Sequence, residues 1–316
     1  MKELTIVTYH YVRELESSKY PEIKGLELSK FIKQLNYFKD HYQFVSIDDV
    51  INYVYNNKSV FPSNAILLTF DDGYVDHYKY VFPLLLKKNI PGCFFPAAKP
   101  VFDHIVLDVN KIHFILASCN VQKIKDDIFN FLDKYRLAFS LKSNKYYYDK
   151  LAFTARTGTA ELLDNKDTIF IKRMLQSEFS KLLRSKIIDE LFNKYVTNDE
   201  QSFSNELYMN KKQLIEMVES GMYIGNHGYI HEWMDLIPEK KQIEEIEKSL
   251  ILLDEIGSNV DQWVMCYPYG RYNESLINVI KSRGCKLGLT INSGVSVIDK
   301  KSAFTLKRMD TNDFSN

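Results

Sequence analysis

Residues 67–73 form an apolar run that ends in two adjacent carboxylates, Asp71 and Asp72, followed by Gly73. The run predicts a buried strand with both carboxylates at its carboxyl end. Paired carboxylates repel each other, and each costs free energy to remove from water. A metal ion or a substrate is expected to offset that cost. Asp is also a good helix N-cap, but capping would explain only one of the two.

Short apolar runs recur along the chain, and helical patterns lie between several of them. The predicted strands span residues 4–9, 65–70, 92–97, 222–226, 263–267, 287–291 and 303–306. Apolar residues at helical spacing predict helices over 238–256 and 272–282. Alternating strands and helices favour parallel strands with crossover helices. About seven such units favour a barrel over an open sheet.

Residues 102–207 do not follow this alternation. The segment lacks a predicted strand and has helical patterns over 109–118, 123–135 and 169–195, with a Lys/Tyr-rich loop over 142–148. We interpret it as a helical insertion beside the barrel mouth, within a single domain that spans residues 1–316. The insertion could be structural, or it could form a lid or a substrate-selecting wall.

The composition excludes some classes of function. Lys plus Arg and Asp plus Glu both total 41, so the chain lacks the basic character of a nucleic-acid binder. Four widely spaced cysteines without a CxxC pair are typical of core residues in a reducing compartment. The pattern of the first residues predicts a strand. The apolar runs of the chain are shorter than the roughly 18 residues that a membrane-spanning helix needs. These observations predict a soluble cytoplasmic protein.

Reactive groups in a parallel barrel collect at the carboxyl ends of the strands. His10, the Asp71–Asp72 pair, His227 and the turn at Pro268 all follow predicted strands, so four separate positions would meet at one mouth. His227 and His231 would share one face if a helix or tight turn begins there. Two imidazoles and one carboxylate form a three-ligand site that is typical of hydrolytic zinc centres.

Three motifs together resemble those of the NodB-type polysaccharide deacetylases, carbohydrate esterase family 4. They are Thr69-Phe70-Asp71-Asp72-Gly73, His227-Gly228-Tyr229-Ile230-His231 and Tyr267-Pro268-Tyr269-Gly270. The resemblance covers roughly residues 1–100 and 220–310 and leaves out the helical block. It implies a distorted (β/α)7 barrel, here with a large helical insertion.

The resemblance also implies roles for individual residues. Asp71 is similar to the general base that activates water, and Asp72, His227 and His231 are similar to the ligands of a divalent metal ion, usually zinc. The backbone N–H of Tyr269, in the turn that Pro268 begins, is similar to the oxyanion donor.

Two departures from the family pattern affect the site. Cys266 stands where the family commonly has an Arg that orients the catalytic Asp, and either Arg308 or Arg271 could supply the guanidinium. The family commonly uses a late His as general acid, whereas no His follows His231 in this chain. His10 is the best replacement, although it could also be a supporting or buried histidine.

We therefore expect a metal-dependent hydrolase of carbon–nitrogen bonds that removes the N-acetyl group of an amino sugar in a polysaccharide or its precursor. The sugar could be free, nucleotide-linked, lipid-linked or polymeric. Alternatives are N-deformylation, hydrolysis of another non-peptide amide on the same fold, or carbohydrate binding without catalysis.

Overall fold

The structure is a computed structural model that describes residues 2–56, 60–153 and 164–314. The chain divides into two compact units. The first comprises Met1–Glu14, Gly25–Ile105 and Ser204–Asn316, and the second comprises Leu15–Lys24 and Val106–Phe203. The single domain over 1–316 and the insertion over 102–207 stay predictions, and each unit is described by itself.

The strands of the first unit are mainly parallel. They are β1 (Lys2–Tyr9), β2 (Val12–Arg13), β3 (Leu26–Glu27), β4 (Gln43–Phe44), β5 (Ala65–Asp71), β6 (Gly92–Phe95), β7 (Tyr223–Ile224), β8 (Val264–Cys266), β9 (Leu287–Leu289), β10 (Ser296–Ile298) and β11 (Met309–Asp310). Parallel ladders join β1 to β5, β5 to β6, and β6 to β7. Strands β8 and β9 form a separate parallel pair.

Isolated backbone bridges connect these ladders. Asn226 bridges to Met265, and Leu289 bridges to Leu306, both in parallel. Strand β11 then pairs in parallel with β1. The strands therefore follow one another in a ring, although the ladders do not form one closed sheet. This is the α/β architecture that the alternating pattern predicts.

The predicted strand over 303–306 is wrong. In the structure only Leu306 makes a bridge there, and the strand lies further on, at β11. The cause is a turn, because the backbone N–H of Thr305 donates to the carbonyl of Ser302. The turn interrupts the extended conformation, although Ala303 and Leu306 still hydrogen-bond to Gly288 of β9.

Helices lie between the strands. They are α1 (Leu28–His41), α2 (Ile47–Asn56), α3 (Phe82–Lys88), α4 (Ala98–Asp103), α5 (Asp108–Ser118), α6 (Val121–Tyr135), α7 (Asn144–Leu151), α8 (Lys166–Arg173), α9 (Lys181–Tyr195), α10 (Glu200–Leu207), α11 (Lys211–Glu219), α12 (Glu239–Glu255) and α13 (Glu274–Ser282). The predicted helices over 238–256 and 272–282 are confirmed as α12 and α13. Pro238 is the N-cap residue of α12, and the Asn273 side chain caps α13.

In the second unit, two predictions within the helical block are wrong. The long helix over 169–195 is interrupted, because Phe179 is extended and Ser180 is the N-cap of α9. The loop over 142–148 is largely helix α7, which begins because the Ser143 side chain accepts the backbone N–H of Tyr146. A serine N-cap stabilises a short helix in this way. Over the described part of 106–203, no residue is in a strand.

The core of the first unit surrounds the strand that leads to the paired carboxylates. Every residue of β5 is buried. Cys93, Cys266 and Cys285 are buried as predicted, whereas Cys119 is partly exposed. Among the described helices, none is both long and apolar enough to cross a membrane.

Candidate active site

The end of β5 turns sharply between the two carboxylates. Asp71 is the last residue of the strand, and Asp72 has a φ of 71°, which is unusual for a residue other than glycine. Both side chains are buried. The change of backbone direction gives the two carboxylates different partners, described below. The predicted alternative, in which Asp72 caps a helix, is wrong, because the following helix begins at Val75 and Asp72 Oδ2 accepts the Tyr74 hydroxyl instead of a backbone N–H.

The segment from His227 to His231 is an irregular loop and not a helix. Gly228 has a φ of 74° and His231 a φ of 55°, so the chain turns twice within it. The Glu245 carboxylate on α12 accepts the backbone N–H groups of Tyr229 and Ile230, each at 3.0 Å. This carboxylate fixes the loop and thereby the two histidines at its ends.

The structure brings Asp72, His227 and His231 together. The Nε2 atom of His227 lies 3.3 Å from Asp72 Oδ1, and the Nε2 atom of His231 lies 3.5 Å from the same oxygen. The two imidazole rings are 4.8 Å apart between centroids. Three side chains thus direct one ligand atom each toward a common point, in the combination that zinc takes in hydrolytic sites.

The hydrogen bonds around these three side chains leave room for a cation. Asp72 Oδ2 accepts the Tyr74 hydroxyl at 2.6 Å, whereas Oδ1 is buried without a hydrogen-bond partner in the described part of the chain. His227 Nδ1 donates to the Cys266 carbonyl at 2.7 Å, so its Nε2 faces Asp72. Burial lowers the pKa of His231 to about 4, which keeps that imidazole neutral and able to ligate. The donor set therefore fits a divalent metal ion.

Asp71, His227 and Cys266 form a second cluster of candidate ligand atoms. Its donors are less suited to a metal ion. Burial raises the pKa of the Cys266 thiol, and the thiolate is the form that ligates metals. Both Asp71 oxygens already accept hydrogen bonds from a guanidinium. The first cluster is therefore the better metal site.

Asp71 is held by Arg308, one of the two arginines that the sequence offered for this place. Nη1 donates to Oδ1 at 2.8 Å and Nη2 to Oδ2 at 2.7 Å. Arg308 is itself buried, and its Nε donates to the Thr290 carbonyl at 2.8 Å. Burial alone would raise the pKa of Asp71, but the adjacent guanidinium lowers it well below the usual value. Asp71 is therefore ionised at neutral pH.

Arg271 lies elsewhere and pairs with Asp235, with Nη2 2.7 Å from Oδ2. Its guanidinium also lies over the Trp233 ring, 5.6 Å from the centroid. The Trp233 and Tyr269 rings are stacked, with their centroids 4.4 Å apart. The Tyr269 and His231 rings meet edge to face, with their centroids 4.5 Å apart. Arg271 thus belongs to an aromatic stack beside the candidate metal ligands and does not orient Asp71.

Pro268–Gly270 forms a single 3-10 turn after β8. Tyr269 has a φ of 54° within it. Gly270 has a φ of 64°, and a Cβ there would lie 2.4 Å from Ile291 Cγ1 and 2.8 Å from Ile291 N. The turn is therefore tightly packed, with the Tyr269 ring against His231. The role of the Tyr269 N–H as oxyanion donor stays a prediction.

His10 follows β1 and lies on the open side of the site. Its Nε2 is 3.9 Å from Asp71 Oδ2, and its side chain is 46% exposed. The imidazole is therefore close to the candidate base and accessible from solvent. The alternative of a buried histidine is wrong, whereas the role of general acid stays a prediction.

Sequence reasoning missed several supporting contacts. The sequence does indicate a special role for Glu245, because it is a charged residue next to Ile246 on the core-facing side of α12. Tyr74 follows the carboxylate pair after Gly73, but only the structure shows that its hydroxyl donates to Asp72. The Cys266 carbonyl that receives His227 has no counterpart in the sequence, because any residue carries a backbone carbonyl.

Comparison with known proteins agrees with this geometry. Residues 58–128 and 188–288 match the model of the polysaccharide deacetylase family. YxkH of Bacillus subtilis, assigned to the polysaccharide deacetylases, is 25% identical over 100 residues, which cover 32% of this chain and 36% of that relative. The chain thus matches about a third of the length of this curated relative.

Solved structures show the same fold. The Streptococcus pyogenes deacetylase PplD, in complex with acetate, aligns over 98% of this chain and 92% of its own, with 17% identity and a TM-score of 0.58. IcaB from Ammonifex degensii aligns over 99% and 94%, with 18% identity and a TM-score of 0.55. The BpsB deacetylase domain from Bordetella bronchiseptica aligns over 98% and 95%, with 16% identity and a TM-score of 0.54. The predicted NodB-type (β/α)7 fold is thereby confirmed. Since the family model matches more than half of its residues, this chain belongs to the polysaccharide deacetylase family.

Proposed function

We propose that this protein is a metal-dependent deacetylase that hydrolyses the N-acetyl group of an amino sugar in a polysaccharide or its precursor. The observation that carries the proposal is the buried, unpaired Asp72 Oδ1 between the His227 and His231 imidazoles, next to an Asp71 that Arg308 holds separately. One similar structure is that of a deacetylase in complex with acetate, the acid that such a reaction releases.

Asp72, His227 and His231 would hold the metal ion, for which zinc is our proposal. A bound divalent ion supplies a Lewis acid that polarises an amide carbonyl and lowers the pKa of water. The protein contributes a fixed carboxylate oxygen and two oriented imidazoles. Tyr74 and the Cys266 carbonyl hold two of these ligands from behind, as supporting groups do in metal sites.

Asp71 is proposed as the general base that removes a proton from the attacking water. Arg308 keeps the carboxylate ionised and fixes its plane through two parallel hydrogen bonds. Each carboxylate oxygen has a second lone pair, so these bonds leave Asp71 able to accept a proton. Its position is set before substrate binds, which lowers the entropic cost of the step.

His10 is proposed as the general acid, which protonates the nitrogen of the leaving amine. It lies on the solvent side of Asp71, where a substrate would enter, and its Nε2 is near the same carboxylate. The backbone N–H of Tyr269 is proposed to stabilise the oxyanion. Loss of one such donor typically costs about 3 kcal/mol of barrier.

The proposed substrate is an N-acylated amino sugar, in free, nucleotide-linked, lipid-linked or polymeric form. The Trp233–Tyr269 stack lies beside His231 and offers aromatic surface close to the reacting centre. Flat aromatic side chains suit the apolar face of a sugar ring. The cytoplasmic location stays a prediction.

The test combines product release with metal analysis. Purified protein should release acetate from a β-linked N-acetylglucosamine oligomer, and chelation followed by dialysis should abolish the release until zinc is restored. Asp71→Asn should retain the metal and lose turnover, whereas Asp72→Asn should lose both.

Other outcomes would favour the alternatives. Release of formate from an N-formyl sugar, without release of acetate from the matching N-acetyl sugar, would favour a deformylase. Bound sugar and bound metal without turnover of either substrate would favour a carbohydrate-binding protein. A protein that holds no metal and is indifferent to chelation would overturn the proposal.

A further inference from the structure

His77 is a fully buried histidine that the proposed mechanism does not use. It begins a single π-helical turn, His77–Val81, shortly after the carboxylate pair. Its ring lies among the rings of Phe70, Tyr74 and Phe94, with centroid distances of 5.5, 5.7 and 6.0 Å. Such turns are often found at functional sites, so a polar ring in this aromatic surrounding requires a physical explanation.

The two ring nitrogens of His77 differ in their partners. Nε2 lies 2.7 Å from the His10 carbonyl oxygen, whereas Nδ1 is buried and has no hydrogen-bond partner among the described residues. A carbonyl can only accept, so Nε2 carries the proton and donates it. Burial lowers the pKa of His77 to about 4, and the imidazole is therefore neutral at pH 7.

An unpaired buried nitrogen is unfavourable, because it loses water without gaining a partner. An apolar side chain of similar volume would fill the same space without that cost. The bond to the His10 carbonyl is the one contribution that requires a donor at this place. This suggests that the imidazole is present to fix the backbone of His10.

The backbone of His10 needs such support. His10 lies just after the last residue of β1, outside the ladder that holds the strand. Its own side chain is 46% exposed, and its Nε2 lies 3.9 Å from Asp71. A half-exposed side chain has little packing to hold it, so its direction depends mainly on its backbone.

We propose that His77 is a positioning residue, which directs His10 toward the reacting amide through the hydrogen bond to the His10 carbonyl. The inference rests on the proposed function, in which His10 donates the proton. In that reaction water adds to the acyl carbon, the carbon–nitrogen bond breaks, and the leaving nitrogen takes up a proton. Misplacement of a catalytic group by about 1 Å can lower the rate by about 100-fold.

The test compares two substitutions of nearly equal shape. His77→Gln retains an amide N–H close to the place of Nε2, whereas His77→Met removes the donor. Each variant is assayed, as the full-length metal-loaded protein, on a β-linked N-acetylglucosamine oligomer and on para-nitrophenyl acetate. The phenolate of the ester leaves without protonation, so ester cleavage does not need the general acid.

We expect His77→Met to lower kcat on the amide at least about 10-fold with little change in KM, and to leave ester cleavage and metal content unchanged. His77→Gln should recover most of the amide kcat. His10→Ala should show the same split between amide and ester. If His77→Met does not fold, His77→Leu gives the same comparison with a branched side chain.

Several results would overturn the inference. An unchanged kcat on the amide in His77→Met would do so. An equal loss of kcat on the amide and on the ester would also do so, because it would indicate general damage to the site. Failure of His77→Gln to recover more than His77→Met would also contradict it. These outcomes differ from failure of the proposed function, in which the wild-type protein itself releases no acetate from the amide.

Discussion

Arg308 binds Asp71 through two parallel hydrogen bonds of 2.8 and 2.7 Å, although the two residues lie 237 positions apart in the chain. Both side chains are almost completely removed from solvent. The guanidinium comes from the segment before β11, whereas Cys266 stands at the position where the resemblance of the third motif implies an orienting Arg. The charge partner of the candidate base therefore depends on correct closure of the ring of strands.

Arg308→Met should destabilise the protein by about 3 kcal/mol, because it leaves the Asp71 charge buried without a partner. Urea unfolding measures the loss. Arg271→Met is the matched control, since its pair with Asp235 is half exposed on the arginine side, and it should cost less than about 1 kcal/mol. Adding Asp71→Asn to Arg308→Met should recover part of the stability. Equal effects of Arg308→Met and Arg271→Met on stability would contradict the assignment of Arg308 as the buried charge partner of Asp71.

Tyr74→Phe should weaken metal binding about 10-fold while the protein remains folded. The Tyr74 hydroxyl donates to Asp72 Oδ2 at 2.6 Å and fixes the direction of the other oxygen toward the histidines. Competition with a chromophoric chelator measures the affinity. Tyr9→Phe serves as control, because that hydroxyl donates to Gln34 and does not contact Asp72. Unchanged affinity in Tyr74→Phe would argue against this supporting role.

Gly270→Ala should destabilise the protein more than Gly257→Ala, although both glycines have positive φ. A Cβ at Gly270 meets the Ile291 backbone nitrogen at 2.8 Å, whereas a Cβ at Gly257 meets nothing within 4 Å. Gly257→Ala should therefore cost only the left-handed strain of about 1 kcal/mol. Thermal unfolding compares the two variants. Similar losses would show that the Ile291 backbone can move aside.

Asp164→Asn should reduce stability by about 1 kcal/mol at pH 7. Lys24 and Lys172 pair with this buried carboxylate. Burial raises its pKa, but the two lysines outweigh burial and lower it. Because the folded-state pKa is lowered, the stabilisation is present above the unfolded value of about 3.9 and is lost as the pH falls below it.

Urea midpoints of Asp164→Asn and wild type should accordingly differ at pH 7 and approach each other as the pH falls from about 4 through the lowered folded-state pKa of Asp164. Asp149→Asn is the control, since Asp149 is 59% exposed in its pair with Lys145, and its effect should be small at both pH values. A difference at Asp164 that persists unchanged in acid would contradict an electrostatic origin.

Much of the fold could be predicted from sequence because its determinants are local. The apolar runs before Asp71 and before His227 mark strands by themselves, and Pro238 and Gly257 mark the two ends of α12. The misplaced strand at 303–306 shows the limit of this reasoning. Its composition suits a strand, but the turn bond between Thr305 and Ser302 decides its path.

The residues of the candidate site that stand in short motifs could be predicted from the sequence. Those that depend on contacts between distant parts of the chain could not. The candidate ligand residues Asp72, His227 and His231 stand in short motifs, and the structure brings them together. The selection of Arg308 over Arg271 required three dimensions, because both arginines were reasonable candidates in the sequence. The same is true of His77, whose partner is a backbone carbonyl and so leaves no trace in residue identity.

The candidate metal ligands come from the loop after β5 and the loop after β7, which are far apart in the chain. An ion bound by Asp72 and the two histidines would link these distant segments. Because the unfolded chain has no preformed metal site, binding of the ion would stabilise the folded state. Its release would therefore loosen the folded state as well as stop turnover. At a free ion concentration 100 times the dissociation constant, that link contributes about 2.7 kcal/mol to folding. Cellular metal supply would then set how long this protein persists, in addition to how fast it works.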